Sequence, residues 1–219
     1  MSDTTAKDDN IRQQKQCLRK TLRASMKELS EDDIQTQSAE VWRRVMDLDI
    51  YRNARSVGLF LSMPSGEIDT DAILQDCVAN GKNIYVPQVG KNFELCDMEL
   101  RKVILDDSNN KLFHKTWPKN KWKIPEPPAD MPFVKAAPGD LDLLIVPGLG
   151  FDCSKNRLGQ GKGYYDRFIA RMSVAEKPLP LVAVALTPQL VTHQSIPVAE
   201  YDRPMDVIVL PEKIIGSVP

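Results

Sequence analysis

Five of the chain's 11 glycines fall between positions 148 and 163, directly after an apolar run and directly before an amphipathic one. Leu141 to Val146 reads as a buried strand, Pro147 to Gly163 as a glycine-rich loop, and Tyr164 to Met172 as a helix. In that order, backbone N–H groups and the positive end of a helix converge on one point, which suits an anion. Glycines at 159, 161 and 163 permit positive φ and a close approach of ligand to main chain. A loop at the carboxyl end of a parallel strand is also where open α/β sheets take their ligands. The expected ligand is a phosphate.

The remaining pattern supports the same class of fold. Ser30 followed by Glu31, Asp32 and Asp33 starts a helix that continues through Ile34, Ser38, Val41, Trp42 and Val45. Ser56 to Leu61 is a short buried strand, Asp69-Thr70 opens a helix through Val78 that Asn80-Gly81 closes, and Asn83 to Val86 is the next strand. This β-α-β rhythm implies parallel pairing. Phe93, Leu95, Met98 and Leu100 suggest one or two strands, and Asp106 to Gly139 reads as a long irregular segment, of the kind that is often functional. Strands at Leu181 to Leu186 and Asp206 to Leu210 complete an α/β architecture: a mostly parallel open sheet with flanking helices and an N-terminal helical pair. Polar, acidic residues 1–10 read as a disordered leader, and 11–219 as a single domain.

Charge and composition exclude several functions. With 29 Lys+Arg against 30 Asp+Glu the net charge is -1, which argues against a nucleic-acid partner. No run approaches the roughly 18 apolar residues of a membrane helix, and the expected site is the cytoplasm, with mitochondria as the minority alternative. Cys17, Cys77, Cys96 and Cys153 form no C-x-x-C pair, and His114 stands far from His193, so neither a disulfide framework nor a zinc site is expected.

The neutral average hides two basic stretches. Leu18, Leu22, Met26 and Leu29 form one apolar stripe on a helix that carries Arg12, Lys15, Arg19, Lys20, Arg23 and Lys27 and no acidic residue after Ile11. Lys15 falls inside the stripe and Arg19 on its edge, so this helix is a solvated basic surface, a targeting segment or an anion site. The second stretch holds Arg157, Lys162, Arg167 and Arg171 against Asp166 alone. Its loop is neither a Walker A motif, since Gly161-Lys162 is followed by Gly163, nor a dinucleotide fingerprint, since its third glycine comes one residue early. Lys162, between two glycines, is free to meet a phosphate or merely exposed. Tyr164 and Tyr165 suit either core packing or the ligand, and Asp166 either the helix dipole or Mg²⁺.

Pro147-Gly148-Leu149-Gly150-Phe151-Asp152 followed by Arg157-Leu158-Gly159-Gln160-Gly161-Lys162-Gly163-Tyr164-Tyr165-Asp166 resembles the signature of the 5-formyltetrahydrofolate cyclo-ligase family. Lys15-x-x-x-Arg19, Ser62-Met63-Pro64 with Glu67-Ile68-x-Thr70, Trp122-x-Ile124-Pro125-x-Pro127 and Pro197-x-x-Glu200-x-Asp202 follow in the family's order. The resemblance implies a C–N bond-forming ligase of folate one-carbon metabolism, with ATP as co-substrate and Mg²⁺ as cofactor. It places ATP on Lys15, Arg19 and the loop Arg157, Leu158, Gly159, Gln160, Gly161, Lys162, Gly163, Tyr164 and Tyr165, with Lys162 and Arg157 catalytic. Folate, including its polyglutamates, is placed on Leu61, Glu67 and Trp122 and shares Gln160 to Tyr164; Mg²⁺ is placed on Asp166 and Asp202. The expected working form is a monomer. Gln160 stands where some members carry Arg, so a charge at the junction of ATP and folate is missing. The competing readings are a small-molecule kinase using the same loop and a non-catalytic folate-binding protein.

Overall fold

Helix α1 spans Ser2–Lys27 in the computed structural model, which describes residues 2–90, 97–105, 113–173 and 178–217. It therefore takes in residues 2–10, which composition assigns to a disordered leader. A helix nucleated by its packed part gains a hydrogen bond for each added residue at little cost, and that extension overrides the polar composition. Helix α2 (Glu31–Asp47) begins with a reciprocal cap: Ser30 Oγ accepts from Asp33 N at 3.1 Å and Asp33 Oδ2 accepts from Ser30 N at 3.0 Å. Then follow α3 (Asp49–Asn53), β1 (Ser56–Gly58), α4 (Asp71–Ala79), β2 (Asn83–Val89) and β3 (Met98–Lys102). After a 3₁₀ turn at Phe113–Thr116 come β4 (Leu143–Val146), β5 (Gly150–Asp152), β6 (Arg157–Leu158), α5 (Tyr164–Met172) and β7 (Leu181–Val184). A second 3₁₀ turn (Thr187–Gln189) leads to β8 (Leu190–Val191), β9 (Val207–Val209) and β10 (Ile214–Gly216).

The main sheet has seven strands in the order β10-β9-β7-β4-β1-β2-β3. Its five central strands are parallel, and an antiparallel strand closes each edge. From β1 the chain winds outward to β2, whereas from β4 it winds the opposite way to β7 and β9. The reversal leaves a crevice between β1 and β4 at their carboxyl ends, where such sheets bind ligands. The turn after β1 carries Leu61 and Glu67, and the glycine-rich segment follows β4. Topology thus gathers both onto one rim.

Alternation along the strands fills both faces of the sheet. Leu143 and Ile145, Val182 and Val184, and Val207 and Val209 join the core under α2 and α4, with Trp42 and Ile73. Leu144, Val146, Ala183 and Ile208 face the opposite core, with Phe168, Ile169 and Met172 of α5. The two N-terminal helices have different partners. Helix α2 packs on the main sheet, while Leu18 and Leu22 of α1 join Leu149, Leu158, Val191 and Ile196 over a small sheet of order β6-β5-β8. Gly150 permits this, because a β-carbon there would lie 2.5 Å from Leu22 Cδ1.

The small sheet and β10 have no counterpart in the sequence reading, since strands of two or three residues are too short for a period-two signal. β3 forms an antiparallel ladder with β2, and the neighbouring Phe93 and Leu95 lie outside the described residues. Within the segment read as irregular, residues 113–139 contain the 3₁₀ turn and two isolated bridges, and 106–112 lie outside the described residues. His114 Nε2 meets Asp71 Oδ1 at 3.0 Å and fastens that turn to the start of α4.

Gly150→Ala is expected to lose about 1–3 kcal/mol of unfolding free energy, because the Leu22 side chain must leave its packed position on β5. Urea denaturation measures it; a variant as stable as the parent would show that the helix is not seated on that glycine.

Candidate active site

The segment from β5 to α5 is a short hairpin followed by a tight loop. Gly161 lies at φ +100° and Gly163, the residue that caps α5, at φ +73° in the left-handed region. Gly159 is different from the expectation of positive φ: it matters for space, since a β-carbon would sit 3.0 Å from Arg157 Nη1. Arg157 is only 8% exposed. Its Nη2 donates to Asp166 Oδ1 at 2.8 Å, its Nη1 to Pro147 O at 3.4 Å, and its guanidinium lies 5.6 Å from the Tyr165 ring centroid. Its Nε–H is buried without an acceptor, a donor still available to a ligand. Lys162 stands exposed on the same loop.

Helix α1 lays a ladder of cations along this loop, one per turn. Lys15, 7% exposed, pairs with Asp202 and lies 5.7 Å from the ring centroid of Tyr201. Arg19 Nε donates to Gly159 O at 2.9 Å, and a β-carbon on Gly161 would come within 3.2 Å of its guanidinium carbon. Arg23 Nη2 donates to Gln160 Oε1 at 2.7 Å. Residues spaced by four share a helix face, so a sequence pattern of Lys, Arg and Arg becomes one basic edge. Arg23 also sets a guanidinium on the uncharged Gln160, the residue at which the sequence lacks a charge.

Among the carboxylates, Asp166 closes the ion pair with Arg157, and Asp202 closes that with Lys15 and accepts from Ala199 N at 2.6 Å. No group of three or more His, Cys, Asp or Glu side chains able to hold a metal occurs among the described residues. Two separate carboxylates do not make an all-protein cage. Their chemistry fits Mg²⁺ carried by a nucleotide, which takes hard oxygen ligands and needs only one or two carboxylates beside phosphate oxygens and water.

The opposite wall comes from the turn after β1. Ser62 N donates to Thr70 Oγ1 at 3.1 Å, closing the turn, and Met63 N donates to Glu67 Oε2 at 2.8 Å. Burial pushes the Glu67 carboxyl up to about 7 from 4.5, against that single backbone donor. Burial also raises the Tyr165 hydroxyl, and the Glu67 charge adds to the effect while Arg157 opposes it, which ties this turn electrostatically to the loop. Tyr164 and Tyr165 pack against the α5 core while remaining partly exposed. Leu61 and Leu158 are buried in apolar clusters, so their side chains pack into the core. Trp122 is exposed, with Lys121 Nζ 4.4 Å from its ring centroid, on a stretch anchored to the core by Ile124.

Three contributors escape the sequence reading of site residues. One is Arg23. Another is Asp152, a fully buried carboxylate that accepts from Ser154 N, Asn156 N, Asn156 Nδ2 and Ile196 N at 2.8–3.0 Å. It fixes the hairpin and the segment leading to Asp202 together. The third is Gln189, whose Nε2 donates to Gly148 O at 2.6 Å. Asp152 lies within the signature run, but nothing local distinguishes it from a turn acid.

A model described as the 5-formyltetrahydrofolate cyclo-ligase family matches residues 11–211. A "Probable 5-formyltetrahydrofolate cyclo-ligase" of Schizosaccharomyces pombe is 30% identical over 208 residues, covering 92% of this chain and 97% of the relative. A 5-formyltetrahydrofolate cyclo-ligase of Mus musculus is 32% identical over 196 residues, covering 89% and 92%. The NMR structure of Aquifex aeolicus 5,10-methenyltetrahydrofolate synthetase superposes with a TM-score of 0.72 at 26% identity, over 92% of each chain.

Glu67 carries a stability signature. Its folded pKa of about 7 exceeds the ordinary 4.5, so the folded state resists ionisation and stability relative to a neutral residue is lost as pH rises between these values. Glu67→Gln is expected to match the parent below the ordinary pKa and to exceed its stability above pH 7 by roughly 1–3 kcal/mol. Melting temperatures across that range check it; a pH-independent difference would contradict the buried-carboxyl reading.

Proposed function

The chain belongs to the 5-formyltetrahydrofolate cyclo-ligase family, and on that premise we propose that it converts 5-formyltetrahydrofolate and ATP to 5,10-methenyltetrahydrofolate, ADP and phosphate. The observation that carries this reading is the convergence of Lys15 and Arg157, each paired with a carboxylate, and of Arg19 beside one glycine-rich loop, with the half-buried Glu67 coupled to it through Tyr165.

The chemistry requires no protein nucleophile. The N5-formyl oxygen is a poor leaving group; its lone pair attacks the γ-phosphorus, the bond from that phosphorus to ADP breaks, and the oxygen becomes part of a phosphate ester. The N10 lone pair then attacks the formyl carbon, the carbon–oxygen bond breaks and releases phosphate, and the N10 proton passes to solvent. The ring nitrogens share the positive charge of the product.

Phosphoryl transfer of this kind depends on positioning and on neutralising charge. Arg157 presents its free Nε–H. Lys162, exposed between glycines, brings a compact charge to the γ-phosphoryl. The loop N–H groups and the N-terminus of α5 receive the remaining phosphate oxygens. When phosphates enter, Lys15 and Arg157 turn from Asp202 and Asp166 toward them, and the two carboxylates are the residues that would hold Mg²⁺. That ion supplies charge neutralisation on the phosphate oxygens. Glu67, once ionised, accepts two parallel N–H bonds from the donor-rich edge of the pterin. The main chain at Leu61, the rings of Tyr164 and Trp122 and the span Gln160 to Gly163 complete the folate wall.

Purified protein given 5-formyltetrahydrofolate, Mg²⁺ and ATP is expected to generate near-ultraviolet methenyl absorbance with one phosphate released per turnover. A phosphorylated folate accumulating without ring closure would support a kinase instead. Lys162→Ala is expected to lower kcat/KM for ATP by about a hundredfold while changing folate affinity little. Equal losses for both substrates would remove Lys162 from the phosphate site.

A further inference from the structure

Arg101, on the edge strand β3, is 2% exposed. Its partners are neutral: Gln88 Oε1 at 3.2 Å from Nη1, Met131 O at 2.7 Å from Nη2, and the Phe133 ring, whose centroid lies 4.9 Å from the guanidinium carbon. Its Nε–H is buried with no acceptor, and among the described residues no carboxylate pairs with it. A buried cation without a counter-charge is costly, and an anion that paired with it would relieve that cost.

Its place in the sheet says which ligand. Arg101 stands opposite Val86 of β2, and Val86 faces the same core as Leu59 and Leu61 at the end of β1. Strands β1, β2 and β3 are neighbours and their register sets Arg101 level with Leu59, so it lies two strand spacings, about 10 Å, from Leu59, with Leu61 two residues farther along the same face. A pterin, a benzoyl ring and a glutamate laid end to end reach farther than that. The acids on and just before the same strand, Glu99 and Asp97, are directed to Arg171, and Glu99 also to Lys135. Phe133, 61% exposed, is the cover between the guanidinium and solvent.

We propose that Arg101 forms a carboxylate subsite that receives the glutamyl tail of the folate, with Phe133 giving way to admit it. The inference rests on the folate reading of the preceding section and adds to it a recognition point outside the glycine-rich loop. A guanidinium binds a carboxylate through parallel donors, so the subsite reads charge and geometry together.

The test compares 5-formyltetrahydrofolate with 5-formyltetrahydropteroate, which lacks the glutamate. The parent protein is expected to favour the glutamate-bearing substrate in kcat/KM by about tenfold to a hundredfold. Arg101→Leu is expected to abolish that preference while leaving the pteroate rate unchanged, and Arg101→Lys to restore part of it. A merely structural arginine would lower both rates alike, and that result overturns the proposal. So does a parent protein without the preference, which needs no variant to be seen. Absence of methenyl product from either substrate overturns the underlying activity instead.

Discussion

Lys15 and Arg157 are each more than nine-tenths buried, and a buried cation left uncompensated is costly. The arrangement of the site follows from that constraint. Lys15 must find Asp202, which draws the segment after Ile196 against α1; Arg157 must find Asp166, which draws the start of α5 beneath the loop. Both pairs consist of one group suited to phosphate and one suited to a hard cation. With both pairs closed, the two buried cations and the two carboxylates balance in charge.

The backbone makes such proximity possible. Gly150 lets Leu22 settle on β5, and only then do Lys15, Arg19 and Arg23 come level with the loop. Asp152, with four N–H donors on its two oxygens, ties the hairpin to the chain that carries Asp202. The small sheet is therefore a mounting plate for α1, and the main sheet contributes the crevice between β1 and β4 that faces it.

Much of this was legible in the residues. The strand–loop–helix order is visible around 141–172, the hydrophobic period alone bounds helix α5 at Tyr164–Met172, and the helical wheel turns Lys15 toward the protein body. Other parts carried no local signal. Arg23 looks like any exposed arginine until Gln160 is found beside it. Arg101 alternates along a strand like a solvent-facing residue, and only the segment Met131 to Lys135 folding over the sheet edge buries it. Composition reports the cost of ordering an isolated segment, whereas residues 2–10 stand as an extension of an existing helix.

The sequence by itself determined the class of fold and the family, because hydrophobic period, glycine spacing and residue type are properties of short stretches. The tertiary structure alone decided which cation meets which carboxylate, that α1 and α2 part to different sheets, and that one arginine is sealed at the edge without a counter-charge. Those outcomes depend on residues more than a hundred positions apart, such as Lys15 and Asp202, being forced together by shared burial, and no local pattern encodes that distance.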